Sequence, residues 1–342
     1  MFGISNMKRS TAGLVVVAGA TSLLLAACSS SSDSASTDSS ASASGACQGK
    51  TIAFVMGAIA DPFFNAMKVG AQEEATAQGA TLVWQGDKEY SPATQIPVLD
   101  QVLATNPDGL VLIPTDPTAL QAGNDKAIAA GIPVVNVDTH VDDTSKAVAF
   151  ITGDNTDGGT KAADAIATAI GYEDGKNYKV VVGLTSKTAT TNVARLEGFQ
   201  KAIKANYPGI KIVDVAYSES NSAKANTNVN NWLTKYPDLN GIFAIDGTNA
   251  TGAAAALQAK GLTGKVALVG YDAYPDNVKL IKDGVFTALV AQDPGAEAKL
   301  AIQNICTTLG GGTVTEHDVV IPNVVLDKNT SEADLKKYTY VA

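Results

Sequence analysis

Thr51-Ile52-Ala53-Phe54-Val55-Met56, then Gly57-Ala58-Ile59-Ala60, then Asp61-Pro62-Phe63-Phe64 is the stretch on which the fold turns. It holds an extended run, a turn and a helix start. An apolar run with no polar alternation suits a strand buried on both faces of a parallel sheet. In Asp61-Pro62 a carboxylate is placed to accept from orphan helix amides, and a proline takes the first helical position, where its missing N–H is not needed. Two adjacent aromatic rings, Phe63 and Phe64, follow at the strand's carboxyl end, where a ligand is expected.

The same unit recurs along the chain. Strands are expected at 51–56, 81–85, 109–113, 133–137, 147–151, 179–184, 211–216, 241–245, 265–269 and 286–291. Helical patterns fill the gaps at 62–78, 93–105, 118–130, 156–170, 191–206, 223–235, 251–260 and 294–309. Such alternation means right-handed βαβ units and an α/β fold. Ser91-Pro92, Asp116-Pro117 and Asp293-Pro294 repeat the strand-to-helix turn, whereas Asn106-Pro107, Tyr207-Pro208 and Tyr236-Pro237 follow helix ends. The two turn classes mark opposite sheet edges, and the Asp-Pro edge is the one that meets ligands. The pattern pauses at Thr152-Gly153-Asp154-Asn155 and restarts without a long linker, which predicts two domains joined by short segments able to act as a hinge.

A chain of 342 residues favours two domains, and 45% apolar residues are ample for their cores. With only 17% charged residues, a net charge of −9 and no basic block, the phosphate-neutralising surface of a nucleic-acid binder is missing. Lys8 and Arg9 precede an apolar stretch from Ala12 to Ala27, which reads as a secretory signal peptide over 1–27, with Met1 or Met7 as the start. The stretch falls short of the roughly 20 apolar residues a spanning helix needs. Leu25-Ala26-Ala27-Cys28 resembles a bacterial lipobox, which would make Cys28 the lipidated first residue. Residues 28–49, rich in Ser and Ala, read as a flexible tether. Cys47 and Cys306 are left, as either a disulfide or two buried thiols, since spacing alone does not bring their α-carbons together.

From about Lys50 onward the chain resembles the periplasmic-binding-protein-like I solute-binding proteins, in the ribose, galactose and related monosaccharide class that serves ABC importers. The resemblance rests on Asp61-Pro62-Phe63-Phe64, Pro114-Thr115-Asp116, Ile132-Pro133-Val134 through Asp138, Gly153-Asp154-Asn155 with Gly158-Gly159, Arg195 with Gly198-Phe199, Val269-Gly270-Tyr271-Asp272, and Ala291-Gln292. It implies two similar doubly wound parallel-sheet domains joined by a three-segment hinge, with sugar in the cleft. Mapped onto this chain, the first domain is 50–152 plus 293–320 and the second 153–292 plus 321–342.

A sugar presents hydroxyls that donate and accept, and flat C–H faces, so its site needs carboxylates, amides and an Arg between aromatic rings. Phe63 is read as a ring against sugar, Phe64 as shared with the core, and Asp61 as helix cap or ligand contact. Asp138 ends a buried-type strand, where a carboxylate is expensive without a partner. The resemblance makes it an acceptor for two sugar hydroxyls, and it places Arg195, Asp246, Asp272 and Gln292 in the site. Asn192, three residues from Arg195, His140 and Asn221 complete the candidates; Trp232 reads as packing. Ribose-type members carry Asn at Asp61 and Asp246, Arg at Thr139 and an aromatic residue at Asn221, so a plain ribose site is not expected.

With only His140 and His317, neither a metal cluster nor a Ser-His-Asp set is suggested, and no cofactor is expected. The expected partners are a monosaccharide or polyol (pentose, hexose or sugar alcohol), an ABC permease with its ATPase, and the membrane through the lipid anchor alone. The protein is expected as a monomer on the outer face of the cell membrane. The alternatives are a ligand-sensing receptor module of the same fold and an extracytoplasmic glycosidase working with paired carboxylates. A lac-repressor-type effector domain would need a DNA-binding segment where the export signal stands.

Overall fold

The computed structural model describes residues 45–341. The signal peptide, Cys28 and the tether up to residue 44 lie outside the described residues. Residues 45–49, read from sequence as tether, instead form a turn in which Cys47 is buried and disulfide-bonded to Cys306.

The first sheet contains β1 (Thr51–Met56), β2 (Thr81–Gly86), β3 (Gly109–Leu112), β4 (Val134–Val137), β5 (Ala149–Gly153) and, late in the chain, β11 (Asp318–Ile321). The second contains β6 (Tyr178–Leu184), β7 (Ile210–Tyr217), β8 (Gly241–Ala244), β9 (Ala267–Tyr271), β10 (Ala288–Ala291) and β12 (Val324–Asp327). The connecting helices are α1 (Pro62–Gln78), α2 (Pro92–Ala104), α3 (Pro117–Ala129), α4 (Asn155–Ala169), α5 (Thr190–Asn206), α6 (Ser222–Lys235), α7 (Gly247–Ala259), α8 (Pro275–Lys282) and α9 (Pro294–Leu309), with α10 (Glu332–Tyr338) near the C-terminus.

Strand order β2-β1-β3-β4-β5-β11 in the first sheet recurs as β7-β6-β8-β9-β10-β12 in the second. All pairings are parallel except β10 with β12. The central strands are buried end to end, which is why their sequences are continuous apolar runs. The chain passes between sheets three times: from β5 into α4, from β10 into α9, and from β11 to β12. Helix α9 packs on α1 of the first sheet's layer, and α4 on α5 of the second.

The strand-to-helix turns position the site. Asp61, Asp116 and Asp293 accept from backbone amides at 3.0, 2.8 and 2.9 Å, and Asp154 and Asp246 do the same for α4 and α7. Ser91 makes no such bond, although its position matches. The runs of β11 and β12 are short and split by Pro322-Asn323, so they did not stand out as strands; α8 and α10 are short as well. Strand β9 begins two residues later than expected, because Lys265 still closes a turn on Leu262. Its end therefore falls at Tyr271, directly ahead of Asp272.

Candidate functional site

A narrow cavity lies between the carboxyl ends of the two sets of strands. The order reverses beside β1 and β3 in one sheet and beside β6 and β8 in the other, the switch points at which doubly wound sheets bind ligands. From the first layer, Asp61, Phe63 and Phe64 follow β1, Tyr90 comes from the loop after β2, and Asp138 follows β4. The two phenyl rings meet edge to face with centroids 5.4 Å apart, so each presents a different surface to the cavity.

From the second layer come Thr185 after β6, Thr191, Asn192 and Arg195 on α5, and Ser220 after β7. Asp246 follows β8, Asp272 and Tyr274 follow β9, and Gln292 stands where β10 crosses back. Helix α5 is held close to α4, because Gly159 faces the Arg195 carbonyl and Gly198 the Thr156 carbonyl with no room for a Cβ. The guanidinium of Arg195 lies 3.8 Å over the Tyr271 ring; Nε donates to Asn155 Oδ1 at 2.7 Å and Nη1 to the Ile245 carbonyl at 3.0 Å. A planar fork held this way keeps its other N–H groups for an oxygen-bearing ligand.

The carboxylates divide their work. Asp246 is saturated, taking hydrogen bonds from Thr185, Thr248 and both the backbone and side-chain nitrogens of Asn249. Asp272 accepts from Gln292 Nε2 at 2.7 Å, Tyr340 Oη at 3.0 Å and the Gly247 amide at 2.8 Å. Asp61 caps α1 and also reaches across the cleft, accepting from Ser220 Oγ at 3.2 Å and from the Tyr274 hydroxyl. No donor among the described residues satisfies the Asp138 carboxylate, whose backbone N–H and C=O are both engaged. Asp138 and Asp272 occupy equivalent strand ends, and both are left-handed, with φ of 60° and 67°. Non-glycine residues seldom adopt that region, and its occurrence clusters at functional sites.

Burial sets the electrostatics. Desolvation lifts the Asp138 carboxyl to about 7 against the pull of Arg195, and lifts Asp61 to about 6 against the hydrogen bond from Tyr274. Asp272 is raised by the same cause. Desolvation works against the Arg195 charge, yet the field of Tyr271, Asp272, Asp138 and Asp246 outweighs it and holds its pKa above the ordinary value. Buried acceptors, one fixed guanidinium fork and two rings suit a neutral, hydroxyl-rich ligand.

A sequence profile described as the periplasmic binding protein domain matches residues 52–313, most of the chain. The chain belongs to the periplasmic binding proteins. This binding protein is 32% identical over 275 residues to the D-ribose/D-allose-binding protein of Pseudomonas aeruginosa, covering 78% of this chain and 84% of that one. It is 31% identical over 276 residues to the ribose import binding protein of Escherichia coli, covering 80% and 90%. Among solved structures, an ABC transporter solute-binding protein from Agrobacterium vitis bound with α-D-tagatopyranose aligns with a TM-score of 0.80 at 29% identity, covering 86% of this chain and all of that one. The second and third of these relatives are transport proteins by name, and the family works outside the cytoplasm.

Around the cavity the binding protein gathers Asp61, Phe63, Phe64, Asp138, Asn192, Arg195, Asp246, Asp272 and Gln292. Two sequence candidates fall elsewhere. Asn221 is exposed and caps α6 through the Lys224 amide, so its neighbour Ser220 takes the cavity position. His140 lines an adjoining cavity on the other side of Asp138, its Nδ1 2.7 Å from the Val141 carbonyl and its ring edge-on to Phe150. Trp232 is buried in the core of the second layer. Sequence reasoning missed Tyr90, Thr185, Thr191, Ser220 and Tyr274. The available signal was position, since Thr185 directly follows β6 and Tyr274 stands two residues past Asp272.

At the crossings, the oxygens of Gln292, Asn323 and Glu297 converge on the α-carbon of Gly153; a Cβ there would lie 2.8 Å from Gln292 Oε1 and 3.0 Å from Asn323 Oδ1. The amide nitrogens are turned away, toward Asp272 for Gln292 and toward Tyr271 and the Asp154 carbonyl for Asn323. No donor among the described residues reaches these oxygens. Desolvation and the nearby Asp138 lift the fully buried Glu297 carboxyl well above its usual range. As a neutral acid it gains the one donor this cluster lacks.

Proposed function

We infer that this periplasmic binding protein takes a monosaccharide or related polyol, a pentose, hexose or sugar alcohol, into the cleft and hands it to an ABC permease with its ATPase. Its two lobes, 50–152 with 293–320 and 153–292 with 321–342, close around the sugar. Contacts from both lobes exist only in the closed state, so sugar shifts the population toward it. The observation that carries the reading is the unsatisfied Asp138 carboxylate in the same cavity as the held Arg195 fork and the Phe63 and Phe64 rings. The named ligands of the relatives support it: ribose, allose and tagatose. Asp246 and Thr139, where ribose-type members carry Asn and Arg, argue for a sugar other than ribose. The ligand undergoes no reaction. The protein works as a monomer, anchored by lipid at Cys28 on the outer face of the cell membrane.

A thermal-shift screen over monosaccharides and polyols tests this, because a ligand that binds only the folded state raises the melting temperature by mass action. Pentoses or hexoses should raise it, and Arg195→Ala should abolish the rise. A response to amino acids or nucleosides with none to sugars would overturn the ligand class, and hydrolysis of glycosides would overturn the binding-only role.

A further inference from the structure

The family match ends at residue 313, yet the chain's last turns return to the site. After α10, Tyr340 is 5% exposed, and its amide donates to the Ala273 carbonyl at 2.9 Å. Its hydroxyl donates to Asp272 Oδ1 at 3.0 Å and accepts from the Gln292 amide at 3.3 Å. Its ring lies 6.1 Å from both Phe63 and Tyr274, one on each side of the cleft. Tyr340 does not line the cavity itself; it stands behind four residues that do.

The geometry points to Tyr340 as a positioning residue for sugar binding, by which the C-terminal tail completes the site: its hydroxyl fixes the Asp272 carboxylate and the Gln292 backbone, and its ring backs Phe63 and Tyr274. This rests on the sugar-binding reading above. A carboxylate held by a hydroxyl and an amide keeps one rotamer and favours its charged, accepting form. Without the hydroxyl, Asp272 Oδ1 keeps only the Gln292 Nε2 donor, while Oδ2 keeps the Gly247 amide. Burial then raises its carboxyl further, toward a protonated form that accepts less well.

The test is Tyr340→Phe in the full chain, which keeps the ring and removes only the hydroxyl. The probes are D-ribose, D-allose, D-tagatose, D-fucose and D-arabinose, titrated by calorimetry between pH 5 and 8. Relative to the wild type, roughly a tenfold weaker Kd is expected at neutral pH, as for loss of a hydrogen bond to a charged group. The loss of affinity on acidification should also begin at a higher pH. The melting temperature should stay close to that of the wild type, while Tyr340→Leu lowers it as well. An unchanged Kd with an unchanged pH profile in Tyr340→Phe overturns the proposal and leaves the sugar reading standing. A wild type that binds neither these five nor any other pentose, hexose or sugar alcohol of the thermal-shift screen overturns the sugar reading. Carbon-13 NMR titration of Asp272, assigned with Asp272→Asn, then still decides the tail's role: a carboxyl that titrates identically in Tyr340→Phe overturns it, and one moved upward supports it.

Discussion

Replacing Asp138 by Asn should move stability and binding in opposite directions. Burial raises the carboxyl from 3.8 to about 7. Folded protein therefore holds this proton more tightly than the unfolded chain. The stabilising contribution of the proton is full below pH 3.8 and is lost as the pH rises through about 7. By neutral pH the difference amounts to about 4 kcal/mol. Asn carries no charge to desolvate, so the sugar-free variant should match the wild type near pH 4 and melt several degrees higher at pH 8. Sugar binding should weaken about a hundredfold, because Asn offers one neutral acceptor oxygen where the carboxylate offers two charged ones. Scanning calorimetry from pH 4 to 8 and isothermal titration read the two effects. If Asp138 served mainly as the counterion of Arg195, the variant would be less stable at pH 8, and the reasoning would fail. Wild-type affinity in the variant would refute it equally.

Tyr274→Phe removes the hydroxyl that reaches Asp61 across the cleft; in small-angle scattering the sugar-free protein should shift to a larger radius of gyration, with several-fold weaker sugar binding. Cys306→Ser should lower stability by about 2–4 kcal/mol, and reductant should lower the melting temperature of the wild type but not of the variant. Glu297→Gln supplies an amide donor to the oxygens of Gln292 and Asn323 without a titrating proton. Because the wild-type carboxyl is raised on folding, wild-type stability should decline as the pH rises above the usual carboxylate range, and the variant should lose that decline.

The α/β fold was legible because buried parallel strands need unbroken apolar runs and because Asp-Pro turns mark one edge of a sheet. The ends of α1 and α9 were read to the residue, since Pro62 and Pro294 fix their starts. Asp138 stood out because a carboxylate at the end of a buried strand conflicts with its surroundings unless something there uses it, whereas Asp272 was placed by the resemblance. Asn221 failed by a single position. In a loop with positive φ at Glu219 and Ser220, which side chain faces inward depends on backbone turns that periodicity does not encode. Tyr274 and Tyr340 meet Asp61 and Asp272 over 213 and 68 residues of sequence, and no local pattern registers such partners.

The disulfide also decides where mechanical load enters the molecule. Cys47 stands four residues ahead of β1 and is bonded to Cys306 near the end of α9. A pull on the chain ahead of Cys47 is passed covalently into a helix and does not peel β1 from its neighbours. At 1.5 Å per residue, Cys306 lies about 18 Å along α9 from Pro294, at the end remote from the cleft. A load applied ahead of Cys47 is thus taken up at the far end of α9, away from the residues that line the cleft.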